Sequence, residues 1–171
     1  MRQTRTIALC GMISALSVVI LAIGAMLGIG MYAAPLLAGL VLLPIRREAG
    51  LKGQLMVWLS VSLLSFMLIS EVEQNLMYLC LFGLYPILVP YFLRLPKGIR
   101  TLCKFLFLNV VTVAVEVLVV FVLVPETMGL WMSAGLLVMA NVVFVLYDRL
   151  LPVFDAILSR SLRAFLSRSA R

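Results

Sequence analysis

The sequence predicts an all-α polytopic membrane protein with six transmembrane helices, both termini cytoplasmic, and a basic amphipathic helix at the C-terminus. Three observations predict it: an excess of apolar residues, their grouping into runs of membrane-spanning length, and a one-sided distribution of basic residues. Of 171 residues, 64% are hydrophobic and 12% are charged, and the mean hydropathy is +1.19. Soluble domains carry roughly 45–50% apolar and 25% charged residues. One water-soluble core of this length cannot absorb the difference, whereas a bilayer can.

A helical span needs about 20 apolar residues to cross roughly 30 Å of hydrocarbon. On that ruler the chain offers Ile7–Leu27, Met31–Ile45, Leu51–Ile69, Leu76–Leu93, Leu102–Val124 and Leu130–Tyr147. The opening MRQTRTIALCGMISAL has the basic start of a signal peptide. Its apolar run, however, is longer than the roughly 7–15 residues of a signal core, and further spans follow, so it reads as a retained first span. The second run is short, with Pro35 near its first turn, where a missing N–H is harmless. The fourth carries Pro86 and Pro90, which predict a kink toward its inner end.

The basic residues then test the count. Arg2 and Arg5 precede the first span; Arg46, Arg47 and Lys52 lie between the second and third. Arg94, Lys97, Arg100 and Lys104 lie between the fourth and fifth, and Arg149, Arg160, Arg163, Arg168 and Arg171 follow the sixth. These clusters contain all fourteen Lys and Arg residues, and six crossings put them on one side. The opposite loops carry Glu71, Glu73 and Glu126. Lys and Arg collect in cytoplasmic loops, so both termini are expected in the cytoplasm. The net charge of +7 is thereby explained by orientation, and no nucleic-acid partner is expected.

Two segments follow, a membrane domain over 1–148 and a tail over 149–171. In the tail, Leu151, Phe154, Leu158, Leu162 and Phe165 recur at steps of three and four, with arginines elsewhere around the helix. Such a helix suits the anionic lipid of the inner leaflet, either as an anchor or as a docking surface for a partner.

Much chemistry is excluded. The chain has no histidine, which removes the usual base or ligand of several intramembrane hydrolases. Cys10, Cys80 and Cys103 show no CxxC spacing, and no GxxxxGK[ST] phosphate loop is present. No catalytic residue, metal site or cofactor is expected, and the chain is not expected to be an enzyme.

Polar residues inside the spans are functional candidates by default. Asn109, Thr112 and Glu116, at i, i+3 and i+7, fall within a wedge of roughly 60° on the fifth span. Asn141 and Ser133 lie on the sixth span, and Tyr78, Phe82 and Tyr85 recur at helical spacing on the fourth. Aromatic walls with a few convergent polar groups are what a small-ligand pocket needs. The candidate substrate-binding residues are therefore Glu116, Asn109, Thr112, Asn141, Tyr78, Tyr85 and Trp131. Trp131 and Tyr32 could close such a pocket, or serve as interfacial anchors. An unpaired carboxylate at a helix centre costs about 3 kcal/mol on insertion scales, so Glu116 needs a partner. That partner is either a helix-packing group such as Asn141, or a ligand bearing an amine, amidinium or ring N–H. On the first span, Ala8, Gly11 and Ala15 form a face of small residues that lets another helix approach, within this chain or outside it.

The segment RTIALCGMISALSVVI resembles the opening of substrate-binding S components of energy-coupling factor (ECF) transporters. The six-span plan and cytoplasmic termini resemble that family as well. The resemblance implies capture of a vitamin or related micronutrient on the outer side, chiefly by the later helices. It further implies assembly with a transmembrane T component and ATPase subunits that hydrolyse ATP. The family's AxxxA face matches Gly11 and Ala15, with Gly in place of the first Ala, and Ala8 one turn earlier; these are the expected contacts with the T component. Two other classes stand beside this one. A scaffolding membrane protein of the rod-shape morphogenesis type would use the small face and basic tail for partners, and an autonomous carrier would use Glu116 as its relay.

Overall fold

The computed structural model describes residues 2–27, 30–119 and 130–168, without the side chains of 2, 3, 5, 30, 31, 130–134, 136 and 158–168. Glu126, the last residues of the fifth predicted span, the side chains of Trp131 and Ser133, and the apolar stripe of the tail beyond Ile157 lie outside the described residues. The described residues form helices and turns only. The elements are α1 (Arg2–Leu27), α2 (Gly30–Val41), α3 (Ile45–Leu68), α4 (Val72–Met77), a π-helical turn (Tyr78–Phe82), α5 (Tyr85–Phe92), α6 (Lys97–Leu118) and α7 (Leu130–Arg168).

Five stretches are long and apolar enough to cross a membrane: Thr6–Leu27, Ile45–Leu68, Val72–Phe92, Lys97–Leu118 and Leu137–Ile157. At 1.5 Å per residue they reach about 32–36 Å, enough for the hydrocarbon layer. The second predicted run, Met31–Ile45, holds a shorter helix than the other five. Its apolar helix, Tyr32–Val41, reaches only about 15 Å. It stops because Leu42 and Leu43 bond back three residues, to the carbonyls of Gly39 and Leu40, and Pro44 follows. Most of this short helix packs against protein: Tyr32, Ala34, Ala38 and Leu40 are buried, while Ala33 and Leu37 stay exposed.

In α3, Gly50 adopts φ 70 and ψ −170, which breaks the helix after one turn. Regular helix resumes over 51–68, in agreement with the run expected from Leu51. Its buried residues Gln54, Val57, Val61 and Ser65 recur at steps of three and four, one face of a helix. At its end Ile69 donates to Ser65 O at 2.9 Å, and the Asn75 amide donates to Ile69 O at 2.9 Å, tying the short connection to α4.

The fourth span is three pieces, and its prolines explain why. Pro86 has no N–H for the carbonyl of Phe82, and its ring crowds that carbonyl. The helix therefore loosens one turn before the proline. Gly83 N–H bonds Tyr78 O, five residues back, at 2.8 Å. Two carbonyls of this turn accept from other helices instead: Trp58 Nε1 donates to Leu79 O at 3.1 Å, and Tyr147 Oη donates to Phe82 O at 2.9 Å.

The predicted boundary between residues 148 and 149 falls inside α7. α7 runs unbroken from Leu130 to Arg168 with Pro152 inside it, about 58 Å of helix. Its apolar, span-length stretch is Leu137–Ile157. Leu151 is buried and Phe154 half-buried past that boundary, so the core contacts of the helix continue into the tail.

The core forms two clusters that share α2. One joins α1, α2 and α3 through Leu21, Ala38, Leu42, Val57 and Val61. The other joins α2, the π turn, α6 and α7 around Tyr85, whose ring lies 4.8 Å from Phe144 and 5.7 Å from Tyr147.

Candidate functional site

The predicted site residues separate into three places along the bundle. At one end, Thr112 and Glu116 sit one turn apart on α6. Thr112 is buried, and neither its hydroxyl nor Glu116 Oε1 has a hydrogen-bond partner among the described residues. Tyr32, at the start of α2, is buried with its hydroxyl likewise unpartnered. Tyr32 belongs to the same buried cluster as Val115 of α6, and α4, whose first turn carries Glu73, packs against both α2 and α6. Tyr32, Glu73, Thr112 and Glu116 thus draw α2, α4 and α6 into one polar neighbourhood. Each buried donor or acceptor left unmade costs about 1–3 kcal/mol, so this cluster favours any molecule that completes its bonds.

One to two turns along α6, Asn109 and Asn141 satisfy each other. Asn109 Nδ2 donates to Asn141 Oδ1 at 3.2 Å, and Asn141 Nδ2 donates to Asn109 Oδ1 at 3.0 Å. Each amide also donates to the carbonyl four residues back, Phe105 O and Leu137 O, both at 2.8 Å. Asn141, one of the two kinds of partner considered for Glu116, instead forms a closed amide pair with Asn109 that joins α6 and α7.

Two of the aromatic residues expected to wall the same pocket, Tyr78 and Tyr85, make their contacts elsewhere, and the side chain of Trp131 lies outside the described residues. Tyr78 is fully buried within the cluster formed with α1 and α3, its hydroxyl unpartnered. Tyr85 donates its hydroxyl to Asp148 Oδ1, where Lys104 Nζ also donates, at 2.6 and 2.9 Å to the two carboxylate oxygens. Lys104 is twelve residues from Glu116, about 18 Å along α6. Tyr85 therefore serves the opposite end of the bundle.

That opposite end contains a cavity of about 660 Å³. Arg46, Arg47, Arg100, Lys104 and Arg149 line it, opposed by Asp148 and Asp155. The basic clusters that open α3, open α6 and follow Asp148 in α7 therefore meet at one place. Arg47 pairs with Asp155, and Lys104 with Asp148. Arg46 donates to Ile87 O at 3.1 Å and lies 5.8 Å over the Tyr91 ring. Gln54 lines the wall at 0% exposure with both amide atoms unpartnered.

Sequence reasoning missed Gln54, Glu73 and the Lys104–Asp148–Tyr85 network. A signal for the last existed: a lysine two residues inside the fifth predicted span and an aspartate just past the sixth, at the basic ends of consecutive antiparallel helices. Gln54 carried a weaker one, as an amide on the buried face of an otherwise apolar helix.

The small face of α1 points outward. Ala8, Gly11 and Ala15 are exposed, and a Cβ placed on Gly11 meets nothing within 4 Å. The buried side of α1 is the other one, with Ile13, Ser17 and Leu21.

No metal-binding cluster of three or more His, Cys, Asp or Glu occurs among the described residues. No family model matches the chain, and neither a curated protein nor a solved structure does.

Proposed function

We propose that this chain is the membrane-embedded capture subunit of an uptake transporter, similar in plan to the S components its first helix resembles. It takes a small organic solute at the end marked by Tyr32, Glu73, Thr112 and Glu116. The observation that carries the reading is the burial of three unpartnered polar groups, the Tyr32 and Thr112 hydroxyls and Glu116 Oε1, in one polar neighbourhood. Two hydroxyls and a carboxylate suit a solute bearing an amine, amidinium or ring N–H, which would donate to Glu116.

The topology belongs to the same proposal: six crossings, with both termini and the basic cavity cytoplasmic. In support, Leu21 O of α1 accepts from Gln74 at the start of α4, so α1 ends near the polar cluster. α2 begins there at Tyr32, and the turn after it reaches the basic cavity at Leu43. In this reading the short helix and the turn after it together make the second crossing, packed mostly against protein.

The proposal gives this chain no catalysis. Energy comes from ATPase subunits through a transmembrane T component, which docks on the outward face of Ala8, Gly11 and Ala15. In support of that docking, these three residues are exposed, and a Cβ at Gly11 would meet nothing of its own chain within 4 Å.

The test is native mass spectrometry of the purified protein for a co-purified small molecule, repeated with Glu116→Gln and Thr112→Val. A bound metabolite lost in both variants is expected. A metabolite retained equally in both, or no ligand in any preparation together with no thermal shift across a metabolite library, removes the proposal.

A further inference from the structure

The basic cavity takes no part in the solute site, and its lining asks for an occupant of different chemistry. Three of its cations, Arg46, Arg100 and Arg149, have no carboxylate within ion-pair distance among the described residues. Asp148 and Asp155 neutralise two of the five, and the cations left in excess repel one another and favour an anion that bridges them. On the wall, Gln54 offers a buried primary amide with no partner for its N–H or its carbonyl. A phosphodiester with a hydroxylated head satisfies both, as acceptor and as donor.

The remainder of the lining is apolar, which a free inorganic anion does not need. Pro86, Val89 and Phe144 form the inner part. Leu93, Phe105 and Val145 also line the cavity, yet are exposed at 56%, 37% and 40%. The cavity therefore opens sideways onto the flank that faces lipid, at the level where the basic residues end the spans. A headgroup among the arginines with its chains running out past Phe105 and Val145 fills both halves.

We propose that this cavity is a binding site for an anionic phospholipid, whose phosphate is held by Arg46, Arg100 and Arg149 and whose polar head reaches Gln54. The inference uses the orientation proposed above only to assign the lipid to the inner leaflet, and it does not depend on the solute site. It is distinct from surface attraction by the basic tail, because its cations belong to α3, α6 and the membrane-spanning part of α7.

The experiment is native mass spectrometry of the full chain released from nanodiscs of phosphatidylglycerol and phosphatidylcholine in equal amounts. Nanodiscs present both leaflets, so an error in orientation leaves the result unchanged, and a missing solute does not affect it. Retention of phosphatidylglycerol over phosphatidylcholine is expected. Arg100→Gln with Arg149→Gln should reduce that preference by roughly fivefold per cation removed. Arg149 is exposed, so Arg149→Gln alone carries the test if the double variant does not fold. Gln54→Leu should weaken retention with every cation in place. A control with Arg94→Gln and Lys97→Gln removes two cations from the same end that do not line the cavity, and should retain the lipid. Equal retention of the two lipids overturns the proposal, as does equal loss in the control and the Arg100/Arg149 variant. Displacement of the lipid by excess inorganic phosphate also overturns it, because the site would then recognise a free anion.

Discussion

Asn109 on α6 and Asn141 on α7 exchange two amide hydrogen bonds, at 3.2 and 3.0 Å, and each also bonds a carbonyl of its own helix. Every strong donor and acceptor of the pair is engaged, so neither amide is available to a ligand without breaking its partner. The pair joins two helices that lipid alone does not drive together, since lipid tails are as apolar as leucine.

Replacing either asparagine with leucine should therefore cost stability and leave solute binding in place. Inter-helix polar pairs in membranes couple by about 0.6 kcal/mol on average and by about 1.7 at most. A double-mutant cycle of Asn109→Leu and Asn141→Leu, measured by unfolding in mixed detergent micelles, should give a coupling in that range. Strictly additive losses would mean that the two amides do not act as a pair.

Gly39 lets α7 reach the π turn. A Cβ there would stand 2.3 Å from Phe82 O and 2.6 Å from Tyr147 Oη, the two atoms of one hydrogen bond. Gly39→Ala should destabilise the fold by about 1–3 kcal/mol, the usual cost of overpacking. Tyr147→Phe removes only the hydroxyl and should cost about 1 kcal/mol. It should not rescue Gly39→Ala, because the closer clash is with backbone. Thermal unfolding of the three variants checks the ordering.

These contacts show what could be read from the sequence and what could not. Hydropathy located five of the helices, because a span of about 20 apolar residues is a local property. It did not foresee that Tyr32–Val41 would pack mostly against protein, since lipid and protein interior are equally apolar solvents. The i, i+3, i+7 stripe carries the one-turn spacing of Thr112 and Glu116, because both belong to one helix. The partners of Asn109 and Tyr85 were not legible, because register between helices depends on non-local pairing. Asn109 found an amide at its own level on α7, and Tyr85 found Asp148. The irregular turn at Tyr78–Phe82 was legible only as a proline kink, since its stability rests on Trp58 and Tyr147 from distant helices.

Asp148 accepts hydrogen bonds from Lys104 and Tyr85 where the spans meet the basic cavity. The Lys104 and Asp148 side chains are 13% and 33% exposed. Removing one partner of a fully buried pair costs about 3–5 kcal/mol, so about half of that is expected for Asp148→Asn here. Lys104→Met combined with Asp148→Asn should cost less than the sum of the singles, since neither charge is then left alone. Chemical unfolding at low and high salt checks this, and salt should narrow the difference only slightly at so enclosed a site.

Gly50 divides α3 at the point where Arg46 and Arg47 turn toward the cavity. Its φ of 70 with ψ of −170 lies in a region that is essentially restricted to glycine. Nothing lies within 4 Å of a Cβ built there, so a substitution meets no clash and the whole cost is conformational. Asparagine often replaces glycine where φ is positive, but it does so in the left-handed helical region, with ψ near +47° rather than extended. Gly50→Ala and Gly50→Asn should therefore destabilise alike, by about 1–3 kcal/mol. Both should also shift Arg46 away from Ile87 O and lower phosphatidylglycerol retention, through the geometry of the cavity rather than its charge. Asparagine restoring both stability and lipid retention while alanine does not would place Gly50 in the left-handed helical region and contradict this account of the break.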